Sequence, residues 1–208
     1  MNVITEIEEL LTLPGTKIGF FAGSFNPPHF THLDFIKKAT SLIEFDHIIV
    51  CIQPSKYEYE IEELKNRMHI MDLVLENTES TKISILSHDV FNGVPSQLFI
   101  DDIFYLLKRR KKEVYMLIGC DSFQKYAELF KSIDITFIIG CKMKRSDLDK
   151  QLISKNMKCL FIDDILPYST EKVKHELIIN HIYLPNNLQD YLNQNQHMES
   201  KTNCKNCN

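Results

Sequence analysis

The sequence predicts an α/β protein with a doubly wound parallel sheet, and three observations lead to this prediction. Short apolar runs rich in β-branched residues alternate along the chain with segments of helical spacing. The runs are continuously hydrophobic, which is typical of parallel strands that are covered on both faces. No internal repeat is visible. Strands that take turns with helices indicate right-handed crossover connections.

Six runs are predicted strands and four segments are predicted helices. The strands are residues 17–22, 47–53, 82–86, 113–118, 135–140 and 158–162. Between most of them lie residues spaced three or four apart, as helices require: Leu33, Ile36, Thr40 and Ile43; Leu64, Met68, Met71 and Leu75; and similar patterns at 101–111 and 121–132.

Composition indicates one globular domain with a polar tail. The chain has 208 residues, of which 44% are hydrophobic, enough to bury one large core. We expect a single domain over residues 1–192 and a disordered Asn/Gln/Lys-rich tail over 193–208. The net charge of −4 argues against a general nucleic-acid binder. The basic run 108–112 is expected to be the solvated end of a helix.

The absence of a signal-peptide pattern and of a long apolar run predicts a cytoplasmic protein whose cysteines are thiols. Four cysteines lie in or beside apolar runs and are expected in the core: Cys51, Cys120, Cys141 and Cys159. Cys204 and Cys207 form "CKNC" in the tail. One such pair is half a zinc site, and with no second pair nearby we expect no metal held by protein ligands.

The stretch "GSFNPPHFTH" lies at the carboxyl end of the first predicted strand, where parallel sheets bind ligands. Gly23 permits close approach of the backbone, and the prolines stiffen the turn. A helix that starts near Thr31 points free N–H groups at the same place, which favours phosphate. The stretch matches neither G-x-x-x-x-G-K-[ST] nor G-x-G-x-x-G, which excludes the two common phosphate-loop interpretations.

Two histidines, His29 and His32, share this loop with Asn26. A histidine alone in this place would more often cap the helix or pack on the sheet. An imidazole that donates a hydrogen bond to a phosphate oxygen would stabilise phosphoryl or nucleotidyl transfer, and the shared loop favours that role here.

The stretch resembles the G-x-F-[ND]-P-x-H-x-x-H signature of nucleotidyltransferases, and most closely that of nicotinate or nicotinamide mononucleotide adenylyltransferases. Thr31 stands where the bacterial pattern has Gly. The resemblance extends over roughly residues 17–192. It implies a Rossmann-like doubly wound sheet of the nucleotidyltransferase type.

Further motifs carry the resemblance along the chain. "LIGCDSF" resembles the family's G-x-D segment, which implies that Gly119 and Asp121 meet ribose hydroxyls, although an Asp there could instead cap a helix. Arg67, in "NRMHIMDLVLEN", and Lys56, in "PSKYE", fall where relatives contact phosphate; either could be solvated charge.

"PYSTEKVK" resembles the family's I-S-S-T-x-x-R region, which implies that Ser169 and Thr170 hold the distal phosphates beside a cation, Lys174. Glu171 stands where the motif has Thr, and a carboxylate there would repel phosphate unless it points outward or meets Mg²⁺. An Arg guanidinium can form two parallel hydrogen bonds with a phosphate, whereas the Lys ammonium at this position is a compact point charge.

The half of the family pattern that binds the acceptor matches poorly. Relatives specific for the nicotinate nucleotide commonly stack a Trp on the pyridine ring, and this chain has no Trp. Phe99, Tyr126 or Phe130 could supply a stacking face instead. "PSQLFIDD" also lacks the Tyr-Thr pair of those relatives.

The resemblance implies an enzyme that moves AMP from ATP to a mononucleotide phosphate, with Mg²⁺ on the phosphates and direct in-line attack. His29 and His32 would face the triphosphate, and Gly23, Ser24, Phe25 and Asn26 the nucleoside and phosphates. Expected partners are ATP and a mononucleotide, without nucleic acid or membrane; monomer and homo-oligomer are both open.

Three alternatives stay open at the level of sequence. One is a related enzyme with another acceptor, such as phosphopantetheine, FMN or a sugar or alcohol phosphate. Another is a nucleotide-binding sensor of the same fold that has lost turnover. The third is an interaction module that uses the CKNC tail.

Overall fold

A single parallel sheet of seven strands organises the protein in the computed structural model. The strand order is β1-β4-β3-β2-β5-β6-β7. The structure describes residues 2–25, 28–53, 61–75, 82–87, 90, 97–126, 134–146, 149–150 and 157–166. The strands are β1 (Asn2–Ile4), β2 (Lys17–Gly23), β3 (His47–Ile52), β4 (Ile83–Leu86), β5 (Glu113–Gly119), β6 (Thr136–Gly140) and β7 (Cys159–Ile162).

Five helices flank the sheet in the described part of the chain. They are α1 (Ile7–Leu11), α2 (Phe30–Leu42), α3 (Ile61–Leu75), α4 (Gln97–Arg109) and α5 (Cys120–Tyr126). All six strands predicted from the sequence are therefore present, and each predicted helix overlaps an observed one. None of the helices in the described ranges is both long and apolar enough to span a membrane.

Successive residues of the central strand enter two separate cores, one on each face of the sheet. Phe20 belongs to the core that also contains Phe104 of α4, and their ring centroids lie 5.0 Å apart. Phe21 points to the opposite core and contacts Phe35 of α2, with centroids 5.4 Å apart. Helices thus cover both faces, as the continuously apolar strands required. The predicted doubly wound fold is confirmed.

Sequence reasoning missed two elements, the short helix α1 and the edge strand β1. The strand β1 has only three residues, and it pairs in parallel with β4, Asn2 opposite Ser84. So short a segment shows no period, and it becomes a strand because β4 offers it a free edge.

The order of strands reverses at β2. From β2 the chain continues outward through β3 and β4 on one side, and it crosses to β5, β6 and β7 on the other. Such a reversal opens a crevice beyond the carboxyl ends of the two strands that diverge, here β2 and β5. The residues that follow these strands are therefore brought together.

Two smaller predictions concern the four core cysteines and the basic run 108–112. Cys51, Cys120 and Cys141 are buried thiols and Cys159 is partly buried, as predicted. The basic run 108–112 is largely exposed at the end of α4, as predicted, although Lys112 Nζ donates to the carbonyl oxygen of Leu13 at 2.7 Å. The tail 193–208 and its two cysteines lie outside the described residues, so the predicted domain boundary stays a prediction.

Two glycines that pair across the ends of β5 and β6 have opposite surroundings. A Cβ on Gly140 would overlap with Ile165 Cδ1 and would lie 3.1 Å from the Phe35 ring. A Cβ on its register partner Gly119 would meet no atom within 4 Å among the described residues. Gly140 therefore serves packing, whereas no described residue restricts Gly119.

We expect Gly140→Ala to destabilise the protein by about 1–3 kcal/mol, because overpacking forces Ile165 and Phe35 to move. Gly119→Ala is the matched control and should leave stability unchanged or slightly higher. Urea unfolding of both variants measures the difference. Equal losses of stability would show that the contact with Ile165 and Phe35 is not what restricts Gly140.

Candidate active site

The candidate site begins where β2 gives way to α2 at the reversal of strand order. β2 ends at Gly23, and α2 begins at Phe30 with His29 as its N-cap residue. Phe25 adopts a left-handed backbone conformation with φ of 42°, which turns the chain sharply after the strand. The N-terminal end of α2, with its partial positive charge, therefore faces the crevice.

The two histidines of the loop form one stacked pair. The imidazole rings of His29 and His32 lie 3.9 Å apart between centroids, with 29° between their planes. The backbone N–H of His29 donates a hydrogen bond of 3.1 Å to Nδ1 of His32. This bond is half of a capping-box arrangement, in which the third helical residue satisfies the N-cap N–H. The spacing of three residues therefore has a structural reason as well as a chemical one.

The hydrogen bond fixes which nitrogen of His32 carries a proton. Because Nδ1 accepts from the His29 N–H, Nδ1 is unprotonated. A neutral imidazole then holds its proton on Nε2, which becomes a donor. We infer that His32 offers an Nε2–H group fixed in direction by the first turn of α2.

Burial keeps both imidazoles neutral. Desolvation, with a smaller contribution from the Lys142 ammonium, lowers the pKa of His29 to about 4. Desolvation is also the largest cause that lowers the pKa of His32 well below 6.5, and His29 and Lys142 add to the effect. A neutral cap also suits the positive end of a helix.

Two phenylalanine rings pack against His32 from the side of the sheet. Phe25 meets the His32 ring edge to face at a centroid distance of 4.9 Å, and Phe21 lies 6.0 Å from it. His29 is only 2% exposed, and its Nδ1 atom has no hydrogen-bond partner among the described residues.

Gly23 serves a neighbour that the sequence did not indicate. A Cβ there would lie 3.1–3.4 Å from atoms of the Phe25 ring, and the close approach of a ligand to the Gly23 backbone stays a prediction. The missing side chain makes room for the buried Phe25, which in turn packs on His32. Ser24, between them, is partly exposed and remains a candidate for ligand contact.

Arg67 braces the loop from α3. Its side chain is 3% exposed, and Nη1 donates to the carbonyl oxygens of Ser24 at 2.8 Å and Gln53 at 3.0 Å. The alternative of a solvated charge is therefore wrong. These bonds join the carboxyl ends of β2 and β3, and sequence could not reveal them because 43 residues separate Arg67 from Ser24.

Gly119 and Asp121 lie at and just beyond the carboxyl end of β5, the strand that pairs with β2. Gly119 ends β5, and Asp121 is exposed in the first turn of α5. An acidic residue in the first turn also suits the helix dipole, so both interpretations of Asp121 fit its place. A role in ribose binding stays a prediction.

Lys142 is a candidate that sequence reasoning missed. It is exposed, follows β6 by two residues, and lowers the pKa of both histidines. Phe35, one turn along α2 from His32, packs at Gly140, and so this end of β6 lies beside the first turns of α2. The rule that ligands bind beyond the carboxyl ends of parallel strands could have identified Lys142 as the first charge after β6.

Several predicted site residues lie outside the described part of the chain: Asn26, Lys56, Ser169, Thr170 and Lys174. The same holds for Glu171 and Phe130, and for the side chains of Phe99 and Tyr126. Their predicted roles stay predictions. Among the described residues, no group of three or more His, Cys, Asp or Glu side chains could enclose a metal ion.

Comparison with known proteins identifies the family. A cytidylyltransferase-like family model matches residues 20–175. "Probable nicotinate-nucleotide adenylyltransferase" of Pelagibacter ubique is 31% identical over 127 residues, which are 60% of this chain and 68% of that protein. The protein of the same name from Dictyoglomus thermophilum is 27% identical over 199 residues, covering 86% of this chain and 97% of its own.

A solved structure agrees with this assignment at the level of the fold. Plasmodium falciparum nicotinic acid mononucleotide adenylyltransferase complexed with NaAD superimposes with a TM-score of 0.67 and 17% identity, covering 89% of this chain and 98% of that one. The sheet order, the paired histidines at the strand reversal and the matches in sequence agree. The chain belongs to the cytidylyltransferase-like family and, within it, to the nicotinate-nucleotide adenylyltransferases.

Proposed function

We propose that this enzyme transfers the adenylyl group of ATP to nicotinate mononucleotide, giving the dinucleotide and pyrophosphate. The observation that carries the proposal is the stacked His29–His32 pair at the N-terminus of α2, at the reversal of strand order. Membership of the family supports the reaction, and the names of the relatives in sequence support the nicotinate nucleotide as acceptor. An enzyme with these small polar substrates would work in the cytoplasm, with neither nucleic acid nor membrane as partner.

The reaction requires no nucleophile from the protein. A phosphate oxygen of the mononucleotide attacks the α-phosphorus of ATP, forming a new P–O bond as the bond to the β-phosphate oxygen breaks. Negative charge shifts toward the leaving pyrophosphate and the non-bridging oxygens. The Nε2–H of His32 would donate to one of these oxygens, and such a bond strengthens as charge develops.

A neutral histidine pair leaves the charge of the triphosphate uncompensated, and this fits a requirement for Mg²⁺. The low pKa of both imidazoles means that they donate hydrogen bonds without supplying positive charge. A magnesium ion held largely by the phosphate oxygens would neutralise that charge and needs few protein ligands. Lys142 would contact a substrate phosphate at the mouth of the crevice.

The remaining roles follow the family motifs. Ser24 and Asn26 would contact the nucleoside and phosphates, with Gly23 and Phe25 shaping the loop. Gly119 and Asp121 would receive the ribose. Ser169, Thr170 and Lys174 would hold the leaving phosphates, and Lys56 and Arg67 remain candidates at the phosphate end, Arg67 through the loop that it braces.

Pyrophosphate release from ATP with a panel of acceptors tests the proposed function. We expect the highest kcat/KM with nicotinate mononucleotide, ahead of nicotinamide mononucleotide, FMN and phosphopantetheine.

The variant His32→Asn tests the donor role of His32. It keeps an acceptor near Nδ1 for the His29 N–H but removes the Nε2 donor, so turnover should fall by roughly 10²-fold, the scale for one preorganised donor. His69→Asn, on the exposed face of α3, is the matched control.

Three results would contradict the proposal or one of its parts. Another acceptor with a clearly higher kcat/KM would replace the nicotinate nucleotide as substrate. A wild-type protein that binds ATP but releases no pyrophosphate with any acceptor would indicate a sensor. If His32→Asn folds normally and keeps full turnover, His32 is a cap and not a donor to substrate.

Lys142 gives a separate test based on titration. Its ammonium disfavours a second positive charge nearby, so Lys142→Met should raise the pKa of His29 from about 4 toward 6.5. The rise should be partial, because burial is the larger cause. An NMR titration of the His29 ring protons measures it, and Lys144→Met, in the same exposed segment, is the control. An unchanged pKa in Lys142→Met would place Lys142 too far away to contact phosphate beside the pair.

A further inference from the structure

Two buried thiols lie side by side at the carboxyl ends of β5 and β6. Gly119 and Gly140 are register partners at the ends of these strands, and the next residue along the chain from each is a cysteine, Cys120 and Cys141. The two thiols share a hydrogen bond. They are therefore in direct contact, although 21 residues separate them in the sequence.

The geometry of this pair suits a disulfide. A side chain on Gly140 would point at Phe35, so Cys141, the next residue, turns to the opposite core, and Cys120 belongs to that same core. Paired strands lie about 4.8 Å apart, within the range of roughly 4.4–6.8 Å between the Cα atoms of a disulfide. The hydrogen bond between the thiols shows that the two segments stay adjacent one residue beyond the last paired glycines. An S–S bond could therefore form with only a small movement.

The surroundings favour the reduced form of the pair. Cys120 is 5% exposed and Cys141 is 1% exposed. Burial is the largest cause that raises the pKa of Cys141 to about 12, and the contact with Cys120 adds to the rise. Because the thiolate is the species that attacks a disulfide, exchange at Cys141 is expected to be slow. The pair should therefore respond to sustained oxidation and not to a brief exposure.

Each thiol is next to a residue that the proposed function assigns to substrate. Asp121 follows Cys120, Lys142 follows Cys141, and both of these charged residues are exposed. Lys142 is near enough to the histidine pair that its ammonium lowers the pKa of both imidazoles. A movement of the thiols is therefore passed to the candidate site through single peptide bonds.

We propose that Cys120 and Cys141 form a reversible disulfide that lowers the adenylyl-transfer activity when glutathione disulfide accumulates. The effect on activity rests on the proposed function, whereas formation of the disulfide does not. Disulfides in cytoplasmic proteins are usually transient and redox-sensing, which fits a reversible bond of this kind.

The oxidation proceeds by two thiol–disulfide exchanges. One protein thiolate attacks glutathione disulfide and releases the first glutathione as a thiolate; the second protein thiolate then displaces the other glutathione from the mixed disulfide. Two protein thiols are thus oxidised, and one glutathione disulfide is reduced to two glutathione molecules. Closing the S–S bond to about 2.05 Å draws the two sulfur atoms together by roughly 1 Å or more, and Asp121 and Lys142 move with them.

The test equilibrates the full chain in a series of glutathione buffers with a rising share of glutathione disulfide. Each sample is alkylated for peptide mapping by mass spectrometry and is assayed for pyrophosphate release from ATP with nicotinate mononucleotide. We expect a linked Cys120–Cys141 peptide to accumulate and kcat/KM to fall in parallel. The fall should reach about tenfold, below the roughly 10²-fold cost of a 1 Å misplacement of reacting groups. Dithiothreitol should restore the activity.

Three single variants locate the effect. Cys120→Ala and Cys141→Ala each remove one thiol and should keep the activity of the reduced enzyme while losing its decline on oxidation. A disulfide needs both cysteines, so either variant suffices if the other fails to fold. Cys159→Ala, at a partly buried thiol in β7, is the matched control and should respond to oxidation as wild type does.

The outcomes distinguish failure of the disulfide from failure of the proposed function. If no linked Cys120–Cys141 peptide forms in the most oxidising buffer, the disulfide is wrong, whatever the activity. If the linked peptide forms without a change in kcat/KM, or if Cys120→Ala still loses activity on oxidation, the pair does not control catalysis. If reduced wild type releases no pyrophosphate with any acceptor, the proposed function fails and the effect on activity fails with it, whereas the linked peptide would still establish the disulfide.

Discussion

The hydrogen bond from the His29 N–H to His32 Nδ1 is the interaction on which the candidate site depends. It satisfies a backbone donor that the helix start would otherwise leave unpaired. The same bond orients the ring and leaves the proton of a neutral His32 on Nε2. A structural requirement of the helix start therefore produces a directed donor at the carboxyl end of the central strand.

The surroundings of the pair determine its charge. Phe25 and Phe21 pack against His32, and desolvation lowers the pKa of both imidazoles. Neutral donors can approach phosphate closely and keep a fixed direction, but they do not balance its charge. We propose that the histidines orient the phosphates, and that Mg²⁺ would neutralise their charge, with Lys142 at the edge of the site. This division is consistent with in-line transfer, in which positioning and electrostatics dominate catalysis.

Sequence predicted the parts of the structure that arise from local pattern. The buried strands show as continuous apolar runs, and the loop that carries His29 and His32 shows as a break between a strand pattern and a helix pattern. The missed features depend on contacts between residues far apart in the chain. β1 is a strand because of β4, Arg67 braces a carbonyl 43 residues away, and Asp34 receives an N–H from 132 residues away. No period or motif encodes such partners.

The protonation state of His32 is the most direct test of this account. A long-range ¹H–¹⁵N correlation spectrum at neutral pH distinguishes the two neutral tautomers and the imidazolium. We expect an unprotonated Nδ1 and a protonated Nε2 in the free enzyme. A proton on Nδ1, whether in the other neutral tautomer or in the imidazolium, would contradict the hydrogen bond from His29 and remove the basis for a fixed Nε2–H donor.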